Sequence, residues 1–285
     1  MTPLGAPGPQ LSAVEFRLLR DLFHEHAGLY FRDELAYLLE RRLAPRLKSH
    51  DLADFGEYHR FLRYDPQRRA ELEAATELLT TNETYFFREP QQLRAFAGEI
   101  LPMLAKANEG RRRLRIWSAG CSSGEEVYTI AILVKQSGLF EGWDVNVLGT
   151  DIARRVLQTA RAGAYGTHAF RAAEAEVIRR WFRPQGDKWA VEDEVRRLVS
   201  FGHLNLLDPG SMGLVGPVDA VFCRNVMIYF DVAARKRVCR SFHDKLTDGG
   251  FLLLGHSESL LNVTADFELV HLKADLVYRK PRPKR

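Results

Sequence analysis

Leu114-Arg-Ile-Trp-Ser-Ala-Gly-Cys-Ser-Ser-Gly124-Glu-Glu-Val-Tyr-Thr-Ile-Ala-Ile-Leu133 decides the fold of this chain. It opens as a short apolar run of strand character, turns through small residues between Gly120 and Gly124, and continues as a helix from about Glu125. A strand that passes through such a turn into a helix brings backbone N–H groups and a positive helix end to the rim of a parallel sheet. Nucleotide-like ligands bind there. A second apolar run, Val145-Asn-Val-Leu-Gly-Thr-Asp151, ends in an acid. A carboxylate at the tip of the neighbouring strand is placed to hold both hydroxyls of a ribose. Together the two runs predict an adenosine-containing cofactor on a Rossmann-like sheet.

The loop also discriminates between cofactors. Dinucleotide binding needs G-x-G-x-x-G, so that the backbone can approach a pyrophosphate. Here Ala119 precedes Gly120, Cys121 follows it, and no second glycine comes before Gly124. Glu125 and Glu126 would repel a pyrophosphate, although acids in a first helical turn also complement the helix dipole. S-adenosylmethionine carries a sulfonium and an amine and no phosphate. With Asp151 in place, the residues favour this methyl donor over NAD.

A length of 285 residues allows one large domain or two of ordinary size. With 46% hydrophobic and 27% charged residues, the composition is that of a globular protein with ample core. No apolar run approaches the ~20 residues of a membrane span, so no membrane insertion is expected. Residues 1–10 are rich in Pro and Gly, lack the pattern of a signal peptide, and read as a disordered leader. Cys121, Cys223 and Cys239 form no C-x-x-C pair and point to a reducing cytosol rather than to disulfides or zinc. A formal charge of +4 suits an acidic protein partner and is too weak to argue for nucleic acid.

Residues 11–80 read as a helical domain. Ser12 and Glu15 fit a capping box, and Gly28 stops the first helix. Further helices are expected at about 33–48, bent by Pro45, at 55–64 and at 68–79. A linker, residues 81–94, precedes an alternating region, residues 95–285. Strands are expected there at 114–118, 145–149, 218–223 and 251–254, and helices at about 91–106, 125–136, 153–162 and 233–246. This alternation means a doubly wound parallel sheet. Period-two runs at 267–272 and 276–280 predict an antiparallel hairpin at its edge, a feature of methyltransferase sheets. Residues 176–204 read as a small antiparallel insertion, with short strands at 181–183, 188–191 and 198–201.

Three further segments carry polar groups. The linker Thr81-Asn-Glu-Thr-Tyr-Phe-Phe-Arg-Glu-Pro90 offers Asn82 and Thr84 as hydrogen-bonding groups and Arg88 as a fixed, fork-shaped cation. Taken alone, these read more readily as helix-end and turn residues and a surface charge. In Asp219-Ala-Val-Phe-Cys-Arg-Asn-Val-Met-Ile-Tyr-Phe-Asp231, an apolar strand runs into Arg224, Asn225 and Tyr229, at the end where an open α/β sheet forms its crevice. Asp231 reads as a helix cap. His203-Leu-Asn205-Leu206 ends another strand, with an amide and a leucine suited to an adenine edge and face.

The segments T-N-E-T-Y-F-F-R-E, W-S-A-G-C-S-S-G-E-E, T-D151, N-L at 205–206 and C-R-N-V-M-I-Y-F-D resemble those of the CheR family of chemotaxis-receptor glutamate methyltransferases. The resemblance covers nearly the whole chain. It implies an α/β, Rossmann-like methyltransferase sheet with a C-terminal antiparallel hairpin and a small inserted β-subdomain, preceded by an all-α domain. It implies that Asn82, Thr84, Arg88, Glu126, Asp151, Asn205, Leu206, Arg224 and Asn225 line the pocket for S-adenosylmethionine, with Gly120 in its loop, and that Arg88 and Tyr229 form the catalytic pair. The product would be S-adenosylhomocysteine, and the acceptors glutamates on the helical cytoplasmic domain of methyl-accepting chemoreceptors. Arg41, Arg42, Arg46 and Lys48 lie on the arc of the second helix opposite Leu43 and Leu47. By residue type this is a solvated face, and the resemblance implies docking on acidic receptor helices. A cytoplasmic monomer is expected.

Two departures stand out: Val127 replaces the proline usual after the glutamate pair, and the insertion is shorter than in members that grip a receptor tether peptide. His203, the histidine nearest these motifs, reads as structural, so no general base is expected. The alternatives are a methyltransferase of another acceptor, a donor-binding scaffold without turnover and, least, an NAD-dependent oxidoreductase; the shared sheet does not choose among them.

Overall fold

The computed structural model of the protein describes residues 9–283. Of the leader expected over residues 1–10, residues 1–8 lie outside the described residues. The chain divides into two compact units. One takes in the chain up to Thr81 together with Tyr229–Asp231; the other takes in Asn82–Ile228 and the chain from Val232 onward.

In the first unit, α1 (Ala13–Ala27) begins at the anticipated capping box. The Ser12 hydroxyl accepts from the Glu15 N–H at 3.3 Å, and the Glu15 carboxylate accepts from the Ser12 N–H at 2.8 Å. Gly28, at φ +68°, ends the helix in the left-handed conformation that a side chain disfavours. A 3-10 turn, Asp33–Leu35, leads into α2 (Ala36–Ser49), which carries Pro45 in its interior and is followed by α3 (Phe55–Tyr64) and α4 (Arg68–Leu79). Leu39, Leu43 and Leu47 are fully buried at helical spacing along α2.

Two of the four basic residues expected on the free face of α2 are committed within this unit. Arg42 donates to the carbonyls of Leu79 (2.9 Å) and Thr80 (3.4 Å), where the end of α4 leaves carbonyls unpaired. Arg46 donates through Nε to Glu71 at 2.8 Å and forms a second, shorter bond through Nη2. Both side chains lie beside the leucine stripe rather than opposite it, within reach of α4. Arg41 and Lys48 are exposed, as is Tyr37 at 66%.

Glu71 is 4% exposed and also accepts from the Tyr58 hydroxyl (2.6 Å) and pairs with His50 Nε2 (2.7 Å). Burial pushes its carboxyl up, but the hydrogen bonds from Arg46, Tyr58 and His50 more than offset this and hold it below the ordinary value of 4.5. A lowered folded value contributes stability above the unfolded value and loses it as pH falls through the folded one. Glu71→Gln should therefore cost about 3 kcal/mol at neutral pH. In denaturant titrations across pH, the gap between wild type and variant should narrow once pH falls below about 4.5.

In the second unit, the helix expected at 91–106 is α5 (Pro90–Ala95), a π turn (Phe96–Ile100) and α6 (Leu101–Asn108). There follow β1 (Arg113–Ala119), α7 (Glu125–Ser137), β2 (Asp144–Asp151), α8 (Arg154–Ala162), β3 (Ala164–Tyr165), α9 (Ala175–Trp181), β4 (Phe182–Gln185), β5 (Lys188–Val191), α10 (Asp193–Arg196) and β6 (Val199–His203). The chain ends through β7 (Val218–Cys223), α11 (Val232–Lys245), β8 (Leu246–Leu254), β9 (Glu268–His271) and β10 (Leu276–Arg279). The main sheet runs β6-β2-β1-β7-β8-β10-β9. Its first five strands are parallel, and β10 is antiparallel to both β8 and β9. Strand order reverses between β1 and β7, so the crevice of this sheet opens at the carboxyl ends of those two strands.

The insertion differs from its sequence reading. The strand expected at 198–201 is β6, which pairs in parallel with β2 in the main sheet. The third strand of the small antiparallel sheet is instead β3, in the order β3-β5-β4, and residues 175–181 are helical. Short apolar alternation specifies a strand but not its partner, because pairing is decided by residues distant in sequence. Among the described residues, no helix is long and apolar enough to cross a membrane, and Cys121, Cys223 and Cys239 are free and buried.

Candidate active site

The turn after β1 is fastened to the tip of β2. The N–H groups of Gly120 and Cys121 both donate to the Thr150 carbonyl (2.8 and 2.9 Å), and Trp117 Nε1 donates to the Thr150 hydroxyl at 2.9 Å. Gly120 sits at φ +80°, and a Cβ there would lie 2.4 Å from Val226 Cγ2, so only glycine fits. Asp151 accepts from the N–H groups of Ser122 (2.8 Å) and Ala153 (2.9 Å), one on each carboxylate oxygen. Burial raises the Asp151 carboxyl, against the pull of those N–H groups.

Beyond the tip of β2, the Leu204 N–H donates to the Asp151 carbonyl at 3.0 Å, which brings the loop after β6 to the same rim. Asn205 Oδ1 accepts from Leu207 N–H (3.0 Å), and Leu206 is 9% exposed. His203 Nε2 lies 2.9 Å from the Ile152 carbonyl, a structural contact.

On the other side of β1, Arg224 ties three segments together. Its side chain is 3% exposed and pairs with Glu126 and Glu89, each at 3.1 Å, while also donating to the Arg88 carbonyl at 2.6 Å. Glu126 in turn accepts from the Ser118 hydroxyl at 2.7 Å. Glu89 escaped the sequence reading; an acid directly after Arg88, opposite a buried arginine, was its only signal.

The linker is anchored at both ends of this stretch. The Asn82 carbonyl accepts from the Ser122 hydroxyl (3.2 Å), and the Phe86 N–H donates to the Ala169 carbonyl (2.9 Å). The Phe86 ring is fully buried against Phe170, Tyr165 and Phe182, with centroids 4.9–5.0 Å apart. Thr84 lies between these anchors. Arg88 donates to the Glu83 carbonyl at 2.9 Å, with its guanidinium 5.7 Å from the centre of the Tyr85 ring.

The structure thus gathers Asn82, Thr84, Arg88, Gly120, Glu126, Asp151, Asn205, Leu206, Arg224 and Asn225 in one unit, on the rim segments of β1, β2, β6 and β7 and the linker. Tyr229 groups with the other unit, where its carbonyl accepts from the Tyr30 N–H at 2.9 Å. Arg41, Arg42, Arg46 and Lys48 also belong to that unit. Two buried polar atoms at the rim, Arg224 Nε and Asn225 Oδ1, have no hydrogen-bond partner among the described residues. Together with the Asp151 carboxylate, they form a donor and acceptor set that fits a nucleoside bearing an amino-acid tail.

Residues 14–80 match the family model described as the CheR methyltransferase all-alpha domain, and residues 82–276 match the CheR methyltransferase SAM binding domain. The chain belongs to the CheR methyltransferase family. Chemotaxis protein methyltransferase 2 of Vibrio cholerae is 32% identical, covering 95% of this chain and 94% of its own. Chemotaxis protein methyltransferase 1 of Pseudomonas aeruginosa is 35% identical, over 93% and 97%. Chemotaxis protein methyltransferase of Vibrio parahaemolyticus is 36% identical, over 94% and 98%. The chain is an S-adenosyl-L-methionine-dependent methyltransferase of chemotaxis adaptation.

Asp151→Asn would turn an amide NH2 toward a backbone N–H and remove an acceptor. Its dissociation constant for S-adenosylhomocysteine, measured by calorimetry, should rise about tenfold to a hundredfold, equivalent to ~1.4–2.7 kcal/mol.

Proposed function

We propose that this chain methylates glutamate side chains on the helical cytoplasmic domain of chemoreceptors, yielding glutamate methyl esters and S-adenosylhomocysteine. Asn82, Thr84, Arg88, Gly120, Glu126, Asp151, Asn205, Leu206, Arg224 and Asn225 hold or shape the donor pocket, and Arg88 and Tyr229 serve the acceptor. The observation that carries the acceptor assignment is Arg88 itself, a cation held by the Glu83 carbonyl two residues beyond a buried aromatic anchor and next to the Arg224 brace. A fixed cation beside a donor pocket selects an anionic acceptor.

When bound, S-adenosylmethionine supplies an electrophilic methyl group. A glutamate, with an ordinary pKa of ~4.3, is already ionised at neutral pH, so this chain need not remove a proton. Its task is to place a carboxylate oxygen in line and at near-attack distance. Arg88 and the Tyr229 hydroxyl orient the acceptor through charge-assisted hydrogen bonds, loosely enough to leave one oxygen nucleophilic. His203 takes no part, being occupied with the Ile152 carbonyl.

The docking face on α2 is narrower than the sequence implied. Arg42 and Arg46 are engaged with α4, which leaves Tyr37, Arg41 and Lys48 to meet acidic receptor helices. The chain works as a cytoplasmic monomer in this reading.

Transfer of labelled methyl from the donor into receptor cytoplasmic fragments, as a base-labile ester, tests the reading; donor binding without transfer would overturn it in favour of a scaffold. Arg88→Ala and Tyr229→Phe should each lower kcat at least tenfold and weaken donor binding by a smaller factor, measured by calorimetry; equal losses in both would argue against the orienting role. Charge reversal at Arg41 and Lys48 should raise the receptor KM and leave donor affinity unchanged. Arg46→Glu should show its main effect as lost stability instead.

A further inference from the structure

Four backbone N–H groups converge on one carboxylate outside every motif considered so far. Glu258 lies in the segment after β8. Its Oε2 accepts from the N–H groups of Asn225 and Gly255, both at 2.8 Å, and its Oε1 accepts from those of Val226 (3.0 Å) and Ile228 (3.2 Å). Three of these donors belong to the turn that leaves the carboxyl end of β7, where no strand or helix partner satisfies them. Backbone donors away from water require acceptors, and here a single side chain from the neighbouring strand's loop supplies them.

The fit is specific. Asn225 is held at φ +60°, a left-handed conformation costing about 1 kcal/mol for a residue with a Cβ. A Cβ on Gly255 would lie 2.7 Å from both Asn225 N and Glu258 Oε2, so the loop after β8 can close on the turn only through glycine. The Asn225 side-chain oxygen stays buried and without a partner among the described residues, while its backbone is pinned. The turn continues directly into the 3-10 segment Met227–Tyr229.

We infer that Glu258 is a positioning residue for methyl transfer: its carboxylate fixes the Asn225–Ile228 turn, and so sets the Asn225 amide for the donor and the start of the segment that bears Tyr229. This rests on the donor role of Asn225 and the acceptor role of Tyr229 proposed above. Glu258 itself touches neither substrate.

The test is a double-mutant cycle. Glu258→Gln keeps one acceptor oxygen and sets an NH2 against the other pair of N–H groups. Thermal unfolding, calorimetric affinity for S-adenosylhomocysteine and methyl-transfer kinetics are compared for Glu258→Gln, Asn225→Ala and the double variant. The expected result is a folded Glu258→Gln protein with about tenfold weaker S-adenosylhomocysteine binding, and a double variant no weaker than the poorer single one, since residues acting through one another are non-additive. Additive losses, or Glu258→Gln with wild-type affinity and kcat, would overturn the inference. If Asn225→Ala alone binds normally, the donor role of Asn225 fails. The inference is then decided by kcat, where Glu258→Gln must lose about tenfold, non-additively with Tyr229→Phe. If Glu258→Gln does not fold, Glu258→Asp, which keeps the charge on a shorter stem, carries the same cycle.

Discussion

The buried guanidinium of Arg224 is the contact on which the candidate site depends. It leaves the end of β7 and reaches both the first turn of α7, through Glu126, and the linker, through Glu89 and the Arg88 carbonyl. Desolvating a cation is costly unless charged partners and hydrogen bonds surround it. Two carboxylates and a carbonyl meet that requirement here, and so hold three segments distant in sequence in one arrangement. Removing either acid would leave a buried charge undercompensated and loosen a rim, not merely delete a surface pair.

Strain in the backbone collects at the same rim. Phe87, Glu89, Ser122 and Asn225 all have positive φ without being glycine. Such conformations persist only where surrounding bonds over-determine them. Each has that support: Phe87 N–H donates to the Thr129 hydroxyl, Ser122 N–H to Asp151, Asn225 N–H to Glu258, and the Glu89 carboxylate pairs with Arg224. The small core of the other unit shows the same economy of buried charge, with Arg46, His50 and Tyr58 all turned to Glu71.

The fold was legible wherever local signals sufficed. The Ser12–Glu15 capping box, the Gly28 stop and the helices at 55–64 and 68–79 fall where the sequence places them. The rim segments were readable too, because a strand's carboxyl end follows from the strand itself. What escaped depended on partners remote in sequence. Residue type on α2 could not reveal that Arg46 meets Glu71, nor could alternation at 198–201 reveal that β2, and not the insertion, is the partner. Glu258 follows a strand tip much as Asp151 ends one, but its significance lies in four N–H groups that no sequence pattern displays.

Phe86 ties the linker to the small β3-β5-β4 sheet through a cluster of three other aromatic rings, and Arg88 follows two residues later. Displacing the small sheet would draw on that ring stack and strain the backbone that carries the guanidinium. The insertion is therefore part of the mount on which the cation sits. Grafting it out or trading it with another family member would shift the Arg88 guanidinium even where every motif residue stayed in place.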